Sequence, residues 1–192
     1  MLSRRASIDL ELARATFPVA ALLLGLLGER GAFNLALATV VVYAMRAFEL
    51  PPWLNGNVLV ASGVLAWGNA LSLYSRVLYY DIVAHFLVQL LIAPALLYLV
   101  ATAPIISRCT PFQVIALTFA LGLAVGALWE IAEWFSDGTV GTNFVKGEAD
   151  TATDLIADAC GALLGGWRFS AIDNALARSV APAFGDSRSR SG

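Results

Sequence analysis

The segment YYDIVAHFLVQLLIAPALLYLVATA, residues 79–103, decides the fold class of this chain. After Asp81 it contains no Lys, Arg, Asp or Glu, and it exceeds the roughly 20 apolar residues that an α-helix needs to span a bilayer. The whole chain agrees, because 59% of its 192 residues are hydrophobic, only 14% are charged, and the mean hydropathy is +0.75. Soluble domains carry about 25% charged residues. The sequence therefore predicts an integral membrane protein.

Five further apolar segments predict an all-α, polytopic membrane bundle of about six transmembrane helices. Pro51, Pro52, Pro104 and Pro111 lie at segment boundaries, as helix breakers do. The first segment resembles a signal peptide, but no small-x-small cleavage site follows it, so we expect it to be retained as a helix. The predicted helices are residues 10–27, 32–48, 57–75, 79–103, 112–136 and 152–172.

The basic residues predict the orientation of this bundle. With the N-terminus in the cytoplasm, nine of them fall in inner segments and three in outer segments, and cytoplasmic segments are usually richer in Lys and Arg. We therefore expect an N-in/C-in protein with one transmembrane domain, residues 1–177, and a disordered cytoplasmic tail, residues 178–192. The inner residues are Arg4, Arg5, Arg14, Arg46, Arg108, Arg168, Arg178, Arg188 and Arg190, and the outer ones are Arg30, Arg76 and Lys146.

Composition also excludes several kinds of site. Cys109 and Cys160 have no CxxC partner, so we interpret both as free thiols. A single histidine excludes a histidine-rich metal site. The chain has neither a Gly-rich phosphate loop nor a basic domain, so nucleic acid is not an expected partner.

Six acidic residues and the only histidine lie at the ends of apolar segments, where ionisable groups are costly unless they are paired, solvated or bound to a ligand. Their spacings of three, four and eight residues place each group on one face of a helix. The predicted topology brings all three groups to the outer leaflet. The groups are Asp81 with His85, Glu130 with Glu133, and Asp150 with Asp154 and Asp158.

So many carboxylates around one imidazole cannot all ionise without compensation. Either several are protonated, or a cation neutralises them. Oxygen-rich sites suit Mg²⁺, Mn²⁺ or Ca²⁺, and histidine with carboxylates also admits Zn²⁺ or Fe²⁺. We therefore predict a divalent cation, with His85, supported by Asp81, as a ligand or general base. The predicted ligands are Glu130, Glu133, Asp150, Asp154, Asp158 and His85.

Other residues have mainly architectural interpretations. Gly122-x3-Gly126 and Gly161-x3-Gly165 are typical of close helix contacts and predict that the fifth and sixth helices pack together. The segment 138–149 is either a lid over the outer site or a plain connector, and its glycines predict flexibility. Polar residues that line the pocket or form interhelical hydrogen bonds are Asn69, Ser72 and Gln89, and the glycines of the segment are Gly138, Gly141 and Gly147.

Three motifs, in order, carry a family resemblance: YDIVAHF (80–86), WEIAEW (129–134) and DTxxDLxxD (150–158). Together they resemble the YjdF-like family of bacterial inner-membrane proteins, over roughly residues 57–170. That resemblance implies a small helical protein of the bacterial inner membrane and assigns no biochemical activity.

The chain is more distantly similar to the VanZ-like family, which is associated with glycopeptide resistance. Asp81-x3-His85-Phe86 and the segment DLIADACGALLG (154–165) look like the first and last motifs of that family. Glu133 replaces the usual Gln and Asp158 the usual Asn, and these departures make the present site more acidic.

Three functions remain open from the sequence. The first is a metal-assisted hydrolase or transferase acting on a lipid or lipid-linked substrate, because a bound cation orients phosphate and activates water. The second is a proton- or cation-coupled transporter, because intramembrane carboxylates are typical of such pathways. The third is a structural or accessory membrane protein whose carboxylates only cap helices, which accounts for Asp81 and Asp150 but not for Asp158 or Glu130.

Overall fold

The structure is a computed structural model that describes residues 4–29, 31–48, 50–101, 103–106, 108–142 and 144–180. Every regular element within these ranges is helical, which confirms the predicted all-α bundle. Most of the predicted tail, residues 181–192, lies outside the described residues, and residues 178–180 continue the last helix. The long helices are α1 (Arg4–Leu26), α2 (Gly31–Ala44), α3 (Pro52–Ala70), α5 (Tyr80–Val100), α7 (Pro111–Val140) and α8 (Glu148–Val180), and the short ones are α4 (Leu73–Arg76), α6 (Ala103–Ile106) and a 3-10 turn (Met45–Phe48).

Four of these segments are long and apolar enough to cross a membrane: Gly31–Phe48, Tyr80–Val100, Pro111–Thr139 and Glu148–Ile172. The other two predicted spans correspond to α1 and α3. Polar residues lower the hydropathy of both, since α1 carries three charged residues from Asp9 to Arg14 and α3 carries three asparagines. The N-in/C-in orientation stays a prediction.

Local sequence explains how α7 begins and ends. Its first turn is fixed by a capping box, in which the Thr110 hydroxyl accepts a hydrogen bond from the Gln113 backbone N–H. Pro111 occupies the first helical turn, where a missing N–H is tolerated. The helix ends at Val140 and is followed by Gly141, whose φ of 76° favours glycine.

Several predicted boundaries are wrong. α1 begins at Arg4 rather than at residue 10, α3 begins at Pro52 rather than at residue 57, and α8 continues to Val180 rather than ending at residue 172. The helix expected over residues 57–75 ends at Ala70, because Ser72 adopts a left-handed φ of 56° that an α-helix cannot continue through. Gly138, expected in a flexible connector, lies inside α7, which continues to Val140. The loop between α7 and α8 is therefore short.

Two apolar clusters hold the helices together. α1 packs on α2, α2 on α3, and α3 on α5, which in turn contacts both α7 and α8. One cluster, which includes Phe17, Leu35 and Leu59, fills the space between α1, α2 and α3. The other, which includes Leu54 and Phe169, joins α3 to α8. Helices α5, α7 and α8 form the part of the bundle that carries the acidic residues.

Glycines allow α8 to approach both of its neighbours. The Gly122 and Gly126 stripe of α7 faces α8, as predicted. The stripe on α8 differs from the prediction, because Gly161 lies against the Phe86 carbonyl and Gly165 also faces α5. On the α8 side, contact with α7 is made by Ala162 and Asp158, which lie against Gly122 and Gly126, and by Gly166. The spacing of α5 and α8 at the acidic end thus depends on Gly161.

We expect Gly161→Ala to destabilise the bundle by about 1–3 kcal/mol, the usual range for overpacking. The added Cβ would clash with the Phe86 carbonyl oxygen, which is backbone and cannot rotate away. Thermal unfolding in mild detergent measures the effect. The matched control is Gly56→Ala in α3, where a Cβ meets nothing within 4 Å. That control should gain up to about 1 kcal/mol from helix propensity, and equal behaviour of the two variants would contradict the packing role of Gly161.

Candidate functional site

Three helices bring five ionisable side chains together at one end of the bundle, and we call this group the acidic cluster. α5 contributes Asp81 and His85 from its first two turns, α7 contributes Glu130, and α8 contributes Asp154 and Asp158. Asp158 is 1% exposed, Asp154 3% and Glu130 7%, whereas Asp81 is 24% exposed at the mouth. The cluster is therefore a polar site whose inner carboxylates are buried and whose mouth, at Asp81, is accessible from the ends of the helices.

Asp158 fixes the orientation of the imidazole. Its Oδ1 lies 3.1 Å from His85 Nδ1, which is hydrogen-bonding distance. The sequence predicted Asp81 in this supporting role, but the Asp81 Oδ1 lies 3.9 Å from the other ring nitrogen, Nε2. The structure therefore makes Asp158 the residue that holds His85, and it turns Nε2 toward the centre of the cluster.

The Nε2 side of His85 has the geometry of a potential metal site. Nε2 lies 3.9 Å from Asp81 Oδ1 and 3.9 Å from Glu130 Oε1. One ligand atom each from Asp81, His85 and Asp154 lies within 4.8 Å of the others. Ligands about 2.0–2.2 Å from a tetrahedral Zn²⁺ lie about 3.4 Å apart, so modest side-chain rotations would bring these three onto one cation.

Two buried carboxylate oxygens of the cluster have no hydrogen-bond partner among the described residues, Glu130 Oε1 and Asp158 Oδ2. Gln89 Oε1, one helical turn below His85, is also buried without a hydrogen-bond partner among the described residues. Buried polar atoms are nearly always paired, and an unpaired charged oxygen is especially costly. All three atoms are acceptors, so the group that would satisfy them is a cation or a hydrogen-bond donor.

Lys146 supplies the one positive side chain that contacts the mouth within the described part of the chain. Its Nζ lies 2.8 Å from Asp81 Oδ2 and 3.8 Å from Asp150 Oδ1. The hydrogen bond to Asp81 raises the pKa of Lys146 above its usual range, so the side chain is cationic at neutral pH. Asp81 thus has one oxygen on Lys146 and the other directed toward His85.

Sequence reasoning missed Asp137, which shapes the loop beside the cluster. Its carboxylate accepts hydrogen bonds from the backbone N–H groups of Phe144 and Val145 and from the Thr142 hydroxyl. An acidic residue shortly before a glycine-containing turn is the only signal that could have indicated it. These bonds fix the position of Val145 and, next to it, of Lys146.

Several predicted site residues have partners outside the cluster. Glu133 accepts a hydrogen bond from Trp129 Nε1 at 2.8 Å on its own helix, and Asp150 accepts one from the Lys146 backbone N–H at 3.0 Å. Asn69 is exposed and donates to the Leu65 carbonyl of α3, and Ser72 is also exposed. Of the predicted polar neighbours, only Gln89 lies buried next to the cluster.

Comparison with known proteins gives a family and no closer relative. No curated protein and no solved structure matches the chain. A family model described as "Predicted membrane protein (DUF2238)" matches residues 18–174, which include every member of the acidic cluster. This match agrees with the resemblance to the YjdF-like membrane proteins, whereas the similarity to the VanZ-like family stays a prediction. Because the match covers most of the 192 residues, the chain belongs to the DUF2238 family of predicted membrane proteins.

Proposed function

We propose that the acidic cluster binds one divalent cation through Asp81, His85 and Asp154, and that the protein uses it in hydrolysis or transfer on a lipid or lipid-linked substrate. The observation that carries the proposal is the arrangement of His85. Its Nδ1 is held by a buried carboxylate while its Nε2 faces two more. Histidines that bind metals are commonly held in this way by a second carboxylate.

Charge supports a cation at this position. Four carboxylates of the cluster meet one imidazole and one ammonium group, that of Lys146. Removing such an excess of negative charge from water is costly unless other charges offset it. A divalent cation offsets two negative charges at once and gives Glu130 Oε1 a nearby positive partner. One nitrogen and several oxygens are a donor set that Zn²⁺, Mn²⁺ or Fe²⁺ accepts, while Mg²⁺ and Ca²⁺ prefer oxygen alone.

The ligand set would leave room for chemistry. Three protein ligands with an open position are typical of catalytic zinc, where the ion lowers the pKa of a water to about 7. Glu130 is the residue best placed to accept the proton of that water, because its Oε1 is unpaired and lies beside His85 Nε2. Asp158 would position His85 without touching the reacting atoms.

The arrangement favours this function over a proton pathway. Below Gln89, the buried residues of α5 are Ala93, Pro94, Ala95 and Leu97, which offer no side chain for proton transfer. Among the described residues of this helix, the buried polar side chains therefore end about one turn below His85, at Gln89. A relay across the bilayer needs ionisable or hydrated groups along its length.

Elemental analysis of the protein, purified in mild detergent, tests the proposal. We expect about one equivalent of a divalent metal, which a chelator removes. Returning Zn²⁺, Mn²⁺, Mg²⁺ or Ca²⁺ one at a time should identify the ion, and a concentration 100 times its Kd should stabilise the fold by about 2.7 kcal/mol. NaCl at matched ionic strength is the control for screening. Absence of metal, with no stabilisation by any of the four ions or by Fe²⁺, would refute cation binding and favour a protonated carboxylate cluster.

A further inference from the structure

A groove beside the acidic cluster lies between α7 and the beginning of α8. It is lined by Glu130, Ile131, Trp134, Val145 and Thr151 and has a volume of about 240 Å³. Four of these five residues present carbon-rich surface, and Glu130 is the only charged one. The groove is therefore an apolar surface that ends at a carboxylate.

The groove opens toward the side of the bundle that faces lipid. Ile131 and Trp134 lie within the membrane-spanning segment Pro111–Thr139 and are 59% and 70% exposed. Apolar side chains so exposed in such a segment face lipid, and tryptophan prefers the interface between hydrocarbon and headgroups. A molecule in the groove would thus contact the protein on one side and the bilayer on the other.

Glu130 connects the groove to the cluster. It lines the groove, and its unpaired Oε1 lies 3.9 Å from His85 Nε2. A headgroup attached to a chain in the groove would reach the Nε2 side of His85 without crossing the apolar core. Lys146, which follows the groove residue Val145, supplies positive charge at the mouth of the cluster, where its Nζ pairs with Asp81.

We infer that the groove is the lateral entrance for a phosphate-bearing membrane lipid, with one chain along Ile131, Trp134 and Val145 and the phosphate at the acidic cluster. This inference rests on the proposed function, since a phosphate meets carboxylates favourably only when a cation and Lys146 stand between them. The size of the groove agrees with partial occupancy. Its volume is below the roughly 300–1,000 Å³ of pockets that enclose whole ligands, so most of the lipid stays in the bilayer.

Native mass spectrometry of the delipidated, metal-loaded full chain tests the inference. The probes are dioleoylphosphatidic acid and dioleoylglycerol, which share their chains and differ in the phosphate. We expect one phosphatidic acid to be retained with high affinity and diacylglycerol to bind weakly. Thr151→Trp and Val145→Trp, which fill the groove, should each lower the affinity about tenfold, the change expected when about two methylene groups lose their burial.

The matched control is Ile156→Trp, which adds the same ring to α8 at a position that is 65% exposed and outside the groove. It should bind phosphatidic acid like the unmodified protein. Equal affinity in the groove variants and the control would overturn the lateral entrance, and equal binding of diacylglycerol would overturn the phosphate assignment. Metal content measured on the same samples separates the two proposals. Metal with no groove effect overturns the lateral entrance and leaves the cation function standing. A groove effect without metal refutes the cation function and the position of the phosphate at the acidic cluster, and leaves the groove only as a contact for the lipid chain.

Discussion

The Asp81→Ala/Asp154→Ala variant is expected to lose its divalent cation, with an affinity lowered by well over 100-fold. The two substitutions leave His85 as the last of the three residues whose ligand atoms lie within 4.8 Å of one another. Loss of a residue that only supports a ligand costs about 10–100-fold in metal affinity, so loss of two direct ligands should exceed that range. Equilibrium dialysis followed by elemental analysis measures the change.

Two controls make this result interpretable. Glu29→Ala/Glu148→Ala also removes two carboxylates, both from exposed positions away from the cluster, and should keep the cation. Asp154→Asn keeps the shape of one ligand and frees no charge on Lys146, so it reports on the site if the double variant unfolds. Circular dichroism and gel filtration monitor folding. A folded double variant that still binds one equivalent would show that these residues are not the ligands.

Most of the helices could be predicted because their signals are local. Long apolar segments, with prolines between them, predicted all six long helices to within a few residues at most ends. Thr110 and Gln113 form the capping box at the beginning of α7, and Pro111 occupies the first turn, so both signals are local in the sequence. The end of α3 could not be predicted, because the left-handed conformation there is adopted by Ser72, whereas glycine is the residue type that usually indicates it.

Helical spacing predicted the five members of the acidic cluster, but it also predicted Glu133 and Asp150, which have partners elsewhere, and it did not predict the internal roles. Spacing of four residues places Asp154 and Asp158 on one face of α8 and predicts nothing about which of them reaches His85. That choice depends on how far α8 is shifted along α5, and the shift is set where Gly161 meets the Phe86 backbone. This contact forms only when the two helices pack together, so the sequence of either helix alone does not predict it.

The loop contacts were unpredictable for a similar reason. Lys146 and Asp81 are 65 residues apart, and their 2.8 Å contact requires the loop after α7 to turn back over the beginning of α5. Asp137 produces that turn through hydrogen bonds to backbone groups seven and eight residues later. Both interactions depend on the completed fold, whereas a sequence pattern reports reliably only on residues within about one or two helical turns.

Asp158→Asn is expected to lower the affinity for the cation and to raise the stability of the cation-free protein. Asparagine keeps an acceptor oxygen for His85 Nδ1 but loses the charge that strengthens the bond, so cation affinity should fall about 10–100-fold. In the cation-free protein the same change removes a carboxylate that is 1% exposed and has one oxygen without a partner. Relief of that burial should raise the free energy of unfolding by about 1 kcal/mol or more.

Thermal unfolding with and without the cation, combined with dialysis, measures both effects on one preparation. Glu148→Gln removes a charge from an exposed position on the same helix and should change stability by no more than about 0.5 kcal/mol. Asp158→Leu leaves His85 Nδ1 without its acceptor and should lower cation affinity at least as far as Asp158→Asn does. Unchanged affinity in Asp158→Asn would refute the positioning role. Lower stability of the cation-free variant would mean instead that the carboxylate stabilises the bundle by pairing with a protonated His85, which would make the cluster a structural ion pair and remove the main argument for a cation.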